Sequence, residues 1–460
     1  MNEIVDSSSP LTRTISDAEL CRYIRDGESI EGLGYGGSES LTLFVSSPRG
    51  KRIVRKILSE RLVTPAWDRD GGGVMLPPCA KARRQTEYLR GLPPAVQPYF
   101  PMVLDQFERQ VGEHHEFIYD MTFVPGIEIS RFIRQHRPPA RIVALLYSEI
   151  FRLLRDKVHA HRRRVPNGPT IEASYLTKIE SRLALAASTA PLTFNEQLLS
   201  AEHVIINGRW LKNVPALLCA YRESDLFARV LEPRFHSLVM GDTNTENIKI
   251  GNTAPLLRRY NQVSFEHPPF TAEELELRFL DPRAIGFHEN GIDSGADDPM
   301  YDNKPWHNSL GNYDQIHGEH FDLEFFFSAG TPAMRIQFHE HSPYAASYRG
   351  IARYFAEAMN RAWRLDSPNS EIHESDPYWV IRFAFVMGTH FMAMPPFHFS
   401  KDQNGVLVDG VQHQRRPLAL YAEGVKWLNL ALDMLEGRVT NFLGVVVPRI
   451  RSRQARVHVA

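Results

Sequence analysis

The apolar residues of this chain change their spacing about a third of the way along it, and that change restricts the fold more than any other feature. Early in the chain they come in short runs bounded by turn formers: Leu41 to Val45 (LTLFV), Arg52 to Leu58 (RIVRKIL) and Phe117 to Met121. Runs of that length are strands. One helix is predicted among them, Ala80 to Leu92 (AKARRQTEYLRGL), ended by Pro93. The Gly- and Pro-rich stretch from Pro65 to Pro78 reads as a loop. Further on, Ile142, Leu145, Leu146, Ile150, Leu153, Leu154 and Val158 recur at helical spacing, and segments 171–186, 349–365, 377–394 and 417–436 read as helices too. A short β-like island over 236–281 interrupts them. The pattern predicts an α+β chain, with a small β-rich part followed by a larger, mostly helical one.

A length of 460 residues with 43% hydrophobic content can bury two or three packed lobes. The formal net charge of -1 lacks the basic excess of a general nucleic-acid binder. Arg449, Arg451, Arg453 and Arg456 crowd the C-terminus, where a solvated end is the plain explanation. Cys21, Cys79 and Cys219 form no CxxC pair, so no zinc or disulfide framework is expected, and the chain fits a reducing cytoplasm. The opening MNEIVDSSSPLTRT lacks the apolar core of a secretory signal. The most apolar stretch, Trp379 to Met394, carries Arg382 and falls short of the roughly 20 residues of a spanning helix. It reads as a buried helix, and no membrane is expected as a partner.

The segment richest in chemistry is His236 to Ile250, HSLVMGDTNTENIKI. An apolar run leads into Gly241-Asp242, and Asn247 follows five residues after the acid. Transfer of a phosphoryl group needs a carboxylate beside the attacking hydroxyl and an oxygen ligand for magnesium close by. A tight loop with Asp and Asn at this spacing points both at one cleft. A second carboxylate, Asp281, ends the strand-like run in LRFLDPRAI. Upstream, Gly32 to Ser38 (GLGYGGS) precedes the first strand, and Gly34, Gly36 and Gly37 would let backbone approach phosphates. Lys56 sits within an apolar strand, and Glu87 on the next helix is expected to pair with it. Each feature alone has an ordinary structural explanation. Their order is harder to obtain by chance.

In these motifs the chain resembles the aminoglycoside phosphotransferase and choline kinase-like superfamily, over about residues 30–435. The resemblance implies a protein-kinase-like two-lobe fold, with residues 1–121 as a nucleotide-binding lobe and 122–460 as a catalytic and acceptor-binding lobe. It implies Asp242 as catalytic base, Asn247 and Asp281 as magnesium ligands, and Lys56 with Glu87 as the pair that positions the nucleotide. Met121 to Gly126 (MTFVPG) resembles the family's hinge, which would set Thr122 and Val124 backbone groups against the purine of ATP or GTP. Ser174 to Ile179 (SYLTKI) resembles a helix of small-molecule members. Departures are Met240 and Asn244 where the family has histidines, Pro282-Arg283 after Asp281, and a long gap between Asn247 and Asp281.

Asp297 to Phe321 is dense in polar and aromatic residues. Asp298, Tyr301, Asp302, Lys304 and His307, with Arg283, are candidates to hold an acceptor. A sugar, amino sugar or aminocyclitol hydroxyl is the expected acceptor. A protein kinase and a non-catalytic nucleotide-binding module are the alternatives. His390 and His398, flanking a double proline, are not at metal-ligand spacing.

Overall fold

The computed structural model describes residues 17–35, 40–60, 78–161, 164–166, 168–258, 270–284, 296–363, 376–402 and 406–450. Five antiparallel strands build the first layer: β1 (Ser29–Tyr35), β2 (Leu41–Ser46), β3 (Arg52–Ser59), β4 (Val103–Val111) and β5 (His114–Thr122), in the order β1-β2-β3-β5-β4. Alternation along the strands sorts their side chains. Leu43, Val45, Ile53, Ile57 and Ile118 share one face and pack with Leu20 and Tyr23. Arg55, 1% exposed, is buried on that face. Its guanidinium is held by Asp120 at 2.7 and 2.8 Å and by Glu28 at 2.6 Å. A buried cation is tolerable only when paired in this way.

The opposite face carries Lys56, because Lys56 pairs with Thr42 on β2 and Tyr119 on β5. The predicted helix α1 (Pro78–Arg90) lies on part of that face, packing Cys79 and Ala82 against Leu58, Phe117 and Tyr119. Gly34 belongs to strand β1 and not to a loop. A Cβ there would stand 3.1 Å from the Thr42 methyl and 3.2 Å from the Phe44 ring, which is why the strand uses glycine at this crossing. Gly36, Gly37 and most of the predicted loop before Pro78 lie outside the described residues.

The helical part includes α2 (Ala140–Leu153), α3 (Thr177–Thr189), α4 (Lys304–Ser309), α5 (Trp379–Met392) and α6 (Arg415–Leu435). Every residue of α5 is buried. It lies close along α6 because Gly388 faces Leu428, where a Cβ would be 2.8 Å from the Leu428 backbone nitrogen. Arg382 survives inside α5 by pairing with Asp298 at 2.5 Å and with Asp376. Among the described residues no helix is long and apolar enough to cross a membrane.

Within the predicted β island, β7 (Ile248–Ile250) and β8 (Arg278–Phe279) pair, and β6 (Ile127–Glu128) from outside it joins them in the order β8-β7-β6, which ties the end of the first layer to the loop that carries Asp242 and Asn247. A further four-stranded sheet stands in the region read as helical. It joins the hairpin Phe321–Ser328 and Thr331–Phe338 to His203–Ile206 and Arg209–Lys212. Ala329 and Gly330, at φ 48° and 82°, turn the hairpin.

Candidate active site

Asp242 sits at the tip of a loop whose shape is imposed from beneath. The run Leu238-Val239-Met240 is fully buried and delivers Gly241 at φ 79°. The Asp302 carboxylate accepts from Met240 N at 2.9 Å, Gly241 N at 2.7 Å and His159 Nε2 at 2.9 Å. Thr243 Oγ1 donates to the Asp302 carbonyl at 2.7 Å. Asp242 itself is 4% exposed, with Lys304 Nζ 2.6 Å from Oδ1 and Arg283 Nε 2.8 Å from Oδ2. Asn244 Nδ2 adds a bond to Oδ1 at 2.9 Å. Burial alone would raise the Asp242 pKa. The Arg283 and Lys304 cations outweigh burial and hold the carboxyl well below the usual carboxylate range.

Two backbone bonds fasten the Asp281 segment to this loop. Leu280 N donates to Asn247 O at 2.7 Å, and Arg283 N donates to Met240 O at 3.0 Å. Asp281 adopts φ 50°, a left-handed conformation uncommon outside glycine and often found at functional sites. Its carboxylate pairs with Lys56 of β3, so residues 225 apart in the chain meet. Gln85 Nε2 also donates to Asp281 Oδ1, at 2.5 Å, and to Pro282 O at 2.8 Å. Burial pushes the Asp281 carboxyl up and Lys56 pulls it down, with a net lowering.

The helix residue at this junction is therefore Gln85 and not Glu87. Two residues span about 200° of helix, so Gln85 faces inward to Tyr119 and Asp281 while Glu87 is exposed. The expected Lys56–Glu87 pair is replaced by Lys56–Asp281.

In the segment read as a hinge, several polar groups are already engaged. Thr122 N donates to Met102 O at 3.0 Å, and its Oγ1 accepts from Met102 N at 3.0 Å, so Thr122 spends these groups within the sheet. Val124 O accepts from Lys249 Nζ at 3.2 Å. Lys249, 8% exposed on β7, also lies 3.3 Å from Glu128 and 5.5 Å from the Phe123 ring centre. Phe123 in turn meets Phe44 of β2 at 6.0 Å and Arg52 at 4.1 Å. Alternation in IKI places Lys249 between two buried isoleucines, but sequence alone did not show that it reaches Val124.

The acceptor candidates divide. Arg283 and Lys304 bond Asp242 directly. Tyr301, 4% exposed, takes Lys178 Nζ at 2.5 Å from its hydroxyl. His307 is buried between Phe391 at 3.7 Å and Tyr313 at 5.2 Å. Two candidates are corrected. Asp302 lies under the loop, as described. Asp298 is fully buried, accepting from Arg382, from Tyr175 OH at 3.0 Å and from Met300 N at 3.0 Å. Neither is placed to touch an acceptor. Lys178 and Arg182, one turn apart on α3, join the region instead. Their spacing of four was a signal for a shared helix face.

Magnesium suits the donors present. Lys56 and Gln85 both bond Oδ1 of Asp281, and Oδ2 has no further partner among the described residues. Asn247 spends its Nδ2 on Asp242 O at 3.1 Å, which keeps its amide oxygen as an acceptor. Two hard oxygen donors are what magnesium takes from protein when phosphates supply the rest. Among the described residues no group of three or more His, Cys, Asp or Glu side chains is arranged to hold a metal ion. No protein-family model matches the chain, and no curated protein matches it significantly.

Proposed function

We propose that this chain is a magnesium- and nucleotide-dependent phosphotransferase of the kinase-like two-lobe fold, moving the γ-phosphate of ATP or GTP to a hydroxyl of a small polar molecule. One observation carries the proposal. Lys56 from the antiparallel sheet, Asp281 after β8, and Asp242 and Asn247 from one loop gather at the junction of sheet and helices. These are the parts phosphoryl transfer needs: a cation for the phosphates, oxygen ligands for a metal, and a carboxylate for the acceptor hydroxyl. Asn247 and Asp281 would hold magnesium, which would supply charge neutralisation for the phosphates. Lys56 is released from Asp281 to the non-transferred phosphates. Asp242 accepts a hydrogen bond from the acceptor hydroxyl and holds it in line. Arg283 and Lys304, both on Asp242, stand where charge gathers on the transferred group.

The test is nucleotide consumption by the purified chain with magnesium, over sugars, sugar acids, amino sugars, cyclitols and nucleosides, with ATP and GTP in separate arms. Turnover should vanish in Asp242→Asn while nucleotide-dependent thermal stabilisation persists. Normal turnover by that variant would remove Asp242 as base. Stabilisation without turnover by the wild type on any acceptor would favour a binding module.

A further inference from the structure

We propose that the acceptor subsite beside Asp242 binds a hydroxylated organic anion, a polyol carrying a carboxylate or a phosphate, and rejects amino sugars. The inference rests on the phosphotransferase reading and names the substrate class of that site.

The first observation is the sign of the charge. Lys178 and Arg182 come from α3, Arg283 from the segment after β8, and Lys304 from α4. They are linked through shared neighbours. Arg182 and Arg283 approach the Phe397 ring at 4.8 and 6.0 Å, while Lys178 and Lys304 approach the Tyr301 ring at 5.0 and 5.5 Å. Two carboxylates face these cations. Asp242 is already bonded to Arg283 and Lys304. Asp297 lies 3.5 Å from Ser174 Oγ and 3.9 Å from His236, and burial pushes its carboxyl up to about 6. Even with Asp297 ionised and Lys178 neutral, Arg182, Arg283 and Lys304 outnumber the two carboxylates, so the region holds more positive than negative charge. Burial first, then Arg182 and Arg283, pulls the Lys178 ammonium down to about 7. An anion between these groups would remove that conflict.

The second observation is independent of charge. His390 is 5% exposed, and neither ring nitrogen has a hydrogen-bond partner among the described residues. Its ring stands 4.4 Å from Tyr301 and 5.9 Å from His307, whose two ring nitrogens are likewise unpartnered and buried. Unmet buried polar groups are costly and call for a missing partner. Burial, followed by the nearby Lys304, keeps the His390 imidazole neutral. A neutral imidazole offers one donor and one acceptor, which suits a hydroxyl. Cations for an acid group beside imidazoles for hydroxyls define a hydroxy acid or a polyol phosphate. An amino sugar would bring a further positive charge among these.

The test is calorimetric titration of the full chain with D-glucuronate, D-glucose 6-phosphate, D-glucose and D-glucosamine. At least one of the two anions should bind about ten- to hundredfold more tightly than glucose, as a charged hydrogen bond predicts. Which anion wins separates a carboxylate from a phosphate. Lys178→Met should erase that preference, and Lys178→Arg should restore part of it. The proposal is overturned if glucose or glucosamine binds as tightly as both anions, including the case in which none binds. It is also overturned if Lys178→Met keeps the full preference while folded by circular dichroism. Failure of the parent reading shows elsewhere, as absence of magnesium–nucleotide stabilisation in the wild type.

Discussion

Removing the Asp302 carboxylate should loosen the whole loop that carries Asp242. In Asp302→Ala, Met240 N–H, Gly241 N–H and His159 Nε2–H lose their acceptor in a site where Asp302 is 1% exposed. An orphaned buried donor costs about 1–3 kcal/mol, so the three together cost roughly 3–6 kcal/mol after partial relaxation. A domain is stable by only about 5–15 kcal/mol, so the loss is a large share. Asp302→Asn keeps the shape and one acceptor oxygen, but its amide nitrogen meets an N–H. It should cost about 2–4 kcal/mol. Both variants keep the backbone carbonyl that takes Thr243. Urea unfolding measures the loss. Nucleotide consumption should fall by about a hundredfold in Asp302→Asn, because a displacement of about 1 Å at Asp242 is enough for that. A stability within about 0.5 kcal/mol of wild type would be the size of an ordinary surface change and would refute the clamp.

Three further outcomes are expected. Arg382→Met leaves Asp298 and Asp376 buried without their cation, and urea unfolding should show a loss of about 3–5 kcal/mol; a loss below about 1 kcal/mol would contradict the pairing. Gln85→Ala should lower nucleotide consumption by about tenfold through loss of a charge-assisted bond to Asp281, whereas exposed Glu87→Ala should lower it by about twofold or less; the reverse ranking would restore Glu87 as the nucleotide-positioning residue. Burial pushes the Asp314 carboxyl up from 3.8 to about 7, against its bonds from Tyr348 and Asn308. The folded chain then holds a proton that the unfolded chain releases, so this contribution is full below pH 3.8 and is lost as pH rises to about 7. Melting temperature against pH should fall less steeply across that window in Asp314→Asn, and a steeper fall would sink the assignment.

What the sequence revealed depended on how local the cause was. The β2 and β3 strands, α1 and the long helices were legible because a strand or helix buries one periodic face, and that face is written within a few residues. Asp242, Asn247, Asp281 and Lys56 were legible as candidates because motif order survives without geometry. Gln85 was hidden behind Glu87 because residue type suggested a carboxylate, while the rotation of α1 against β5 decides which side chain points inward. Asp298 and Asp302 look like ligand residues in a polar stretch. Only the fold shows that Arg382, 84 residues downstream of Asp298, neutralises it. The sheet of Phe321–Ser328, Thr331–Phe338, His203–Ile206 and Arg209–Lys212 escaped because its parallel pairing joins pieces more than 120 residues apart.

The charge around Asp242 bears on how such a site would work. A carboxylate held well below the usual range by Arg283 and Lys304 is a weak base, so it gains little by removing a proton early. Brønsted behaviour then places its value elsewhere. The same two cations fix both carboxylate oxygens in direction, through bonds of 2.6 and 2.8 Å, so an incoming hydroxyl meets an acceptor that does not need to reorganise. In the proposed transfer, negative charge would build on the transferred group with those cations already beside it. Position and field thus do most of the work, and proton transfer follows late. On this view Lys304→Met should be more harmful to turnover than to acceptor affinity. The ammonium acts on charge that exists chiefly in the transition state, and Lys304 Nζ is also bonded to the loop carbonyl Gly241 O at 3.3 Å. Steady-state kinetics would read this as a fall in kcat of about a hundredfold with a smaller rise in KM, the share owed to the acceptor's anionic group. An equal rise in KM at constant kcat would instead make Lys304 a ground-state ligand of the acceptor.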